Sequence, residues 1–122
     1  MMDKFVLLYL SPVTAEQQMS SQMSPEAGRK AMDAWMAWYK KAGSAVLDQG
    51  TPLGNGKSLS NMGEAMRQTK VAGYSIVQAK DIDAVEKMLK GHPHLIMPGA
   101  SIEIMESMPM ENMPMEKMAM KM

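Results

Sequence analysis

Residues 24–43, SPEAGRKAMDAWMAWYKKAG, carry the pattern that decides the fold. Ser24 precedes Pro25, a combination typical of helix starts, because serine caps free amides and proline fits the first turn. Apolar residues then recur at helical spacing, and Gly43 is a natural helix end. The apolar stripe consists of Ala31, Trp35, Trp38 and Ala42, widened by Met32, Met36 and Tyr39. The stretch predicts one amphipathic helix over residues 26–42.

Four apolar or alternating stretches around this helix predict strands, and one further stretch predicts a second helix. The strands are expected at residues 5–10, 44–49, 71–79 and 101–106. The second helix is expected at 82–90, capped by Asp81, with a buried stripe of Ile82, Val85, Met88 and Leu89. Residues 50–57 have turn composition. Residues 58–70 fit either a short strand or a loose helix.

The order strand, helix, strand, strand, helix, strand predicts an α+β fold, a ferredoxin-like βαββαβ sandwich. Both helices then cover the same face of a four-stranded antiparallel sheet. The other face also carries apolar residues and stays bare, and a second copy is the simplest cover for it. We therefore expect one domain over residues 1–107 that forms a homodimer.

Bulk composition excludes several classes of function. The chain has 13 basic and 13 acidic residues, so it has no electrostatic footprint for nucleic acid or an anionic membrane. It contains no cysteine, which rules out disulfides and thiolate metal sites. No apolar run is long enough to span a bilayer, and the run at residues 5–10 lacks the features of a signal peptide. We expect a cytoplasmic protein without a cofactor.

The C-terminal residues 108–122, MPMENMPMEKMAMKM, form a low-complexity, methionine-rich tail. Thioether sulfurs prefer Cu(I). Met108, Met110, Met113 and Met115 stand at spacings that offer several sulfurs to one ion. Cu(I) binding is therefore one hypothesis for the tail. A loose interaction surface and a repeat without function are the alternatives.

The candidate catalytic residues are a histidine and two acids. His92 and His94 are the only histidines, and they follow the second predicted helix, where loops gather. An imidazole titrates near neutral pH, so His94 is the candidate general acid or base. Asp48 or Glu103 is the candidate carboxylate for orienting its ring. The structural alternatives are a loop imidazole bonded to backbone and acids that face solvent. Two histidines without a third ligand make a poor metal site.

Four stretches resemble the YCII-related proteins, a family of small domains that form dimeric α/β barrels. They are Leu7-Leu8-Tyr9, Ala34-Trp35-Met36-Ala37-Trp38, Pro52-Leu53-Gly54 within 43–58, and His92-Pro93-His94-Leu95 through Glu103, and together they cover roughly residues 4–108. The resemblance implies two facing sheets and a cleft in each subunit between sheet and loops. It implies no single activity, although a few relatives resemble lactone-processing or dehalogenating enzymes that use a histidine and an aspartate. Many members carry Asp-Gly-Pro-Phe where this chain has residues 61–66, NMGEAM.

The implied cleft makes Tyr9, His92 and Leu53 the candidate ligand-binding residues. The stretch 54–58, GNGKS, is not a phosphate loop, because five residues instead of four separate Gly50 from the Gly-Lys pair. Two functions remain open. One is a small-ligand-binding or regulatory module. The other is a small cleft enzyme in which His94 moves a proton on a lactone-like or carboxylated metabolite.

Overall fold

The computed structural model describes residues 2–12, 24–54, 56–66 and 70–109. In chain order the elements are strand β1 (Asp3–Leu10), helix α1 (Pro25–Ala42), strands β2 (Val46–Asp48), β3 (Lys57–Ser60), β4 (Gly63–Met66) and β5 (Val71–Ala79), helix α2 (Ile82–Met88) and strand β6 (Ser101–Glu106). Short 3₁₀ turns occupy Gly43–Ala45 and Pro93–Ile96.

Four of these strands form one sheet in the order β2-β5-β1-β6, and each neighbouring pair is antiparallel. The described part thus contains two α-helices and a four-stranded antiparallel sheet, which confirms the predicted α+β class. Each of the four predicted strands and both predicted helices is present, with ends shifted by at most two residues. In the stretch 58–70, β3 and β4 form a separate hairpin, and residues 67–69 lie outside the described part.

The starts of both helices and the end of α1 are fixed by caps that the sequence predicts. Ser24 Oγ accepts a hydrogen bond from the Ala27 N–H at 3.1 Å. Gly43 ends α1 with a φ of 59°, a conformation that glycine adopts without steric cost. Asp81 Oδ1 accepts from the Ala84 N–H at 2.8 Å and so begins α2. Local signals therefore set where each helix starts, before packing contributes.

Both helices pack against the same face of the sheet. Odd-numbered side chains of β1 and β5 meet the inner sides of α1 and α2 in one buried cluster, formed by Phe5, Leu7, Tyr9, Trp38, Val77, Ala79, Val85 and Leu89. The Trp38 indole N–H also donates to the Met88 carbonyl at 3.1 Å, which joins the two helices. Burial of these side chains is the main stabilising contribution in the described part.

Met32, Met36 and Ile82 are more exposed than their place on the apolar stripes predicts. Met32 and Met36, expected to widen the buried stripe of α1, are 63 % and 52 % exposed, because they border a cleft instead of the core. Ile82 is 50 % exposed. It is the first residue of a seven-residue helix whose inner side is carried by Val85 and, beyond its end, by Leu89. Periodicity identified the apolar sides but not how far each one is covered.

The opposite face of the sheet is apolar and only partly covered. Even-numbered side chains of β1, among them Val6 and Leu8, lie on it beside Ile76 of β5 and Met105 of β6, following the strand register. Val6, Leu8 and Ile76 are half-buried, and Met105 is 53 % exposed. No helix in the described ranges packs on this face. None of the described helices is long and apolar enough to cross a membrane.

Candidate functional site

A cleft of about 400 Å³ lies between α1 and the loop that follows β2. One wall is the side of α1 formed by Gly28, Ala31, Met32, Trp35, Met36 and Tyr39. The other wall is the loop 49–52 with the first residues of β5. Tyr9 and His94 also line the cleft and come from the sheet and from the turn after α2. Small residues at 28 and 31 leave space where the larger side chains of the helix would otherwise meet the loop.

The loop wall is held against β5 by main-chain contacts. The Leu53 N–H donates to the Ala72 carbonyl at 2.9 Å, and Pro52 forms a β-bridge with Gly73. Gly50 has a φ of 73°, and a Cβ atom there would lie 1.8 Å from the Tyr74 carbonyl oxygen. Only glycine can therefore bring the loop this close to the strand. The backbone of this wall is thus held directly against β5.

Hydroxyl groups beneath the cleft form a connected hydrogen-bond network. Tyr9 donates to Ser75 Oγ at 2.8 Å, and the Ser75 hydroxyl donates to the Gln49 carbonyl at 2.7 Å. The Tyr39 hydroxyl donates to the same carbonyl at 3.0 Å. Burial raises the pKa of Tyr9 above its ordinary value, so its hydroxyl keeps its proton and remains a donor to Ser75. The network fixes Tyr9 and Tyr39 relative to the loop.

The imidazole of His94 is oriented by two main-chain carbonyls. Its Nε2 lies 2.8 Å from the Leu10 oxygen and 3.0 Å from the Ser101 oxygen. Both partners are acceptors, so Nε2 carries the proton and the neutral ring has its lone pair on Nδ1. The side chain is 6 % exposed and lines the cleft, and the hydrogen bonds found for the ring in the described part are those of Nε2. His94 therefore presents Nδ1 as a further acceptor and potential base.

His92 supports His94 from beneath. Its Nδ1 accepts the His94 main-chain N–H at 3.0 Å, and so caps the 3₁₀ turn. The ring has no exposed surface and lies among Trp38, Trp35 and Tyr9, at centroid distances of 4.4, 4.7 and 5.3 Å. Its Nε2 is buried and has no hydrogen-bond partner in the described part. Burial, with a smaller contribution from His94, lowers the pKa of His92 to about 4.

Three of the site residues proposed from the sequence, Tyr9, His92 and His94, lie next to one another. Tyr9 lies 5.2 Å from His94 and 5.3 Å from His92, measured between ring centroids. The fourth, Leu53, is half-buried and contributes its main-chain N–H to the loop wall, but it does not line the cleft.

The two acids proposed to orient His94 lie elsewhere. Asp48 accepts from the Gly50 N–H at 2.8 Å and from the Tyr74 hydroxyl at 3.4 Å, so it stabilises the loop turn. Glu103 is exposed and pairs with Leu8, on the sheet face away from the helices. Neither carboxylate contacts His94 among the described interactions. The orienting role that we assigned to an acid belongs to the carbonyls of Leu10 and Ser101.

The proposed sulfur ligands fall mostly outside the described part. Met108 is 66 % exposed, whereas Met110, Met113 and Met115 lie beyond residue 109. Within the described ranges no group of three or more His, Asp or Glu side chains is placed to hold a metal ion.

Sequence reasoning missed several residues that build the cleft. Trp35, which we placed on the apolar stripe of the helix, packs against the core cluster, but it is only half-buried and also lines the cleft with Met32 and Met36. A signal was present in the helix, because Gly28 and Ala31 stand one turn before the larger residues on the same side. The roles of Ser75 and the Gln49 carbonyl carried no such signal, since they depend on tertiary contacts.

Comparison with protein-family models finds no matching family, and comparison with curated proteins finds no significant match.

Replacement of His92 by asparagine tests the buried imidazole. A histidine that is neutral when folded but titrates near 6.5 when unfolded contributes stability above that pH. The contribution, about 3 kcal/mol, is lost as pH falls from about 6.5 to about 4. Asparagine retains an acceptor for the His94 N–H but does not titrate. We expect the unfolding free energy of H92N, measured by urea denaturation, to fall less steeply over this range than that of the wild type. An equal dependence of the unfolding free energy on pH in the two proteins would contradict a lowered pKa for His92.

Proposed function

We propose that this chain is a small-ligand-binding module and that the cleft between α1 and the loop 49–52 is its binding site. The observation that carries the proposal is the combination of a concave, largely apolar space of about 400 Å³ with the buried, oriented His94 at its lining. Ligand sites in proteins typically have this size and pair apolar walls with a few placed polar groups.

In the proposed assembly the unit is a ferredoxin-like sandwich that pairs with a second copy of itself. Support comes from the strand order β2-β5-β1-β6 and from the packing of both helices on one face. The bare face, with Val6, Leu8, Ile76 and Met105, is apolar enough to favour a partner. Two such faces in contact would form the dimeric α/β barrel of the YCII-related proteins, which this chain resembles. A dimer of this kind leaves the cleft open, because the cleft lies on the helical side.

A second candidate function is acid/base catalysis by His94 on a neutral, lactone-like metabolite. The observation in its favour is the tautomer, since the carbonyls of Leu10 and Ser101 keep the proton on Nε2 and leave Nδ1 as a base. A carboxylated substrate fits less well, because no described side chain that lines the cleft is positively charged. Turnover of a lactone that is lost in His94→Gln would favour the enzyme over the binding module.

Filling the cleft tests the binding site directly. Ala31 is exposed and lines the cleft, so Ala31→Leu places extra methyl groups there without altering the core. Ala34→Leu is the matched control, because Ala34 is exposed on the same helix but does not line the cleft. We expect neutral fragments that raise the melting temperature of the wild type to bind A31L at least about tenfold more weakly and A34L unchanged.

The Trp35 indole N–H resonance should shift with these fragments, whereas that of Trp38, bonded to the Met88 carbonyl, should not. A screen in which every fragment binds A31L as tightly as the wild type would remove the cleft from consideration.

A charge on the bare sheet face tests the homodimer. Leu8 lies between Tyr74 and Glu103 at the middle of this face. In a monomer, the arginine of Leu8→Arg can pair with Glu103 at the surface. In the proposed dimer, it would be buried in an apolar contact at a cost of several kcal/mol. By sedimentation we expect a wild-type dimer at micromolar concentration and a monomeric L8R.

Ile82→Arg is the control for this test, because Ile82 is exposed at the start of α2, on the helical side. A dimer for I82R alongside a monomer for L8R locates the contact. A monomeric wild-type chain would refute the assembly.

A further inference from the structure

We propose that the cleft selects a neutral aromatic molecule bearing a hydroxyl or N–H group, and that this group donates a hydrogen bond to His94 Nδ1. This inference rests on the proposed function, because it names the ligand class of the same cleft. Three properties of the cleft carry it, namely its charge, its aromatic wall and the hydrogen-bonding state of its polar atoms.

The cleft offers no compensation for an ionic ligand. None of the described lining residues is Lys, Arg, Asp or Glu. Asp48, the last residue of β2 before the loop, is already bonded to the Gly50 N–H and the Tyr74 hydroxyl. A charged group that enters an apolar space without a counter-charge loses its hydration and gains little in return. The described lining therefore favours a neutral molecule over a carboxylate or an amine.

The wall on α1 suits a flat aromatic ring. Trp35 is half-buried and meets Tyr9 edge-on, at 5.0 Å and 83° between rings. It also contacts Tyr39 in a tilted arrangement, at 6.0 Å and 41°. Met32 and Met36, which are both more than half exposed, line the cleft beside Trp35 and lie one helical turn apart. Thioether sulfurs make favourable, adaptable contacts with aromatic rings. Trp35 is therefore a fixed stacking surface between two side chains that adjust to the ligand.

The hydrogen bonds around the cleft leave Nδ1 of His94 as the ring nitrogen that is open to a ligand. The hydroxyls of Tyr9 and Tyr39 both donate within the network, and the Gln49 carbonyl accepts from Tyr39 and Ser75. Nε2 of His94 donates to the two main-chain carbonyls. Nδ1 is then the nitrogen of the His94 ring that can bond to a ligand in the cleft, and its lone pair requires a donor. A ligand without a donor leaves this acceptor desolvated and unpaired.

Three matched ligands separate the requirements, using the full chain at neutral pH. Naphthol carries a neutral donor, its methyl ether lacks the donor, and naphthoate is an anion of similar shape. Binding is measured by calorimetry, and the Trp35 and Trp38 indole signals report the location. We expect naphthol to bind at least about tenfold more tightly than the ether, because the ether leaves Nδ1 unpaired. Naphthoate should bind more weakly than naphthol, since its charge is uncompensated.

His94→Gln isolates the acceptor. A glutamine amide can still donate to the carbonyls of Leu10 and Ser101 from a position near Nε2, but it places no atom at Nδ1. We expect H94Q to bind naphthol as weakly as the wild type binds the ether, and to bind the ether unchanged. If H94Q does not fold, the ratio of naphthol to ether affinity in the wild type still decides the question.

The outcomes distinguish the inference from the proposed function. Equal affinities for naphthol and ether, or a preference for naphthoate, would overturn the ligand class and leave the cleft as a binding site. Failure of all three ligands while other fragments bind in an A31L-sensitive manner would also overturn only the ligand class. If no fragment binds in the cleft, both the ligand class and the proposed function are refuted.

Discussion

The site depends on one interaction, the pair of hydrogen bonds from His94 Nε2 to the carbonyls of Leu10 and Ser101. These two residues are register partners at the end of β1 and the start of β6, so one imidazole joins two neighbouring strands where their ladder ends. The same bonds hold the 3₁₀ turn 93–96 against the sheet and fix the tautomer of the ring. The position of the turn and the tautomer of His94 are therefore tied to the same contact, which lies at the end of the β1–β6 ladder.

The cost of burying this polar group is offset by a second histidine. His92 is fully buried among Tyr9, Trp35 and Trp38, and its Nδ1 satisfies the His94 main-chain N–H. Because His92 stays neutral, it places no charge inside the aromatic cluster. The rings that enclose His92 also form the hydrophobic core and the inner wall of the cleft. Core packing and site geometry are thus built from the same side chains, so that a change in one alters the other.

Features set by local chemistry were predictable from the sequence, and features set by tertiary contacts were not. The Ser24–Pro25 start, the Gly43 stop and the Asp81 cap fixed both helices, and alternation fixed β5 and β6. Alternation in β6 also indicates which way Glu103 points. Ile102 and Ile104 pack against the core, so the residue between them must face the other side of the sheet. Glu103 therefore lies on the face away from the helices and cannot orient His94.

The partners of His94 had no sequence signature. Main-chain carbonyls are present at every residue, so no pattern marks those of Leu10 and Ser101 as acceptors. The exposure of Trp35 was similarly hidden, since a helical stripe looks the same whether it meets a core or a cleft. The dimer and the family likeness remain expectations that the fold is compatible with.

Determining the tautomer of His94 is the most direct test of its contacts with the Leu10 and Ser101 carbonyls. Long-range nitrogen–proton NMR correlations in nitrogen-labelled protein report which ring atom carries the proton. We predict that Nε2 carries the proton in both histidines, without the averaging between tautomers seen for an imidazole in water. A proton on Nδ1 of His94 in place of Nε2, or a mixture of both tautomers, would contradict the carbonyl contacts and the ligand selectivity derived from them.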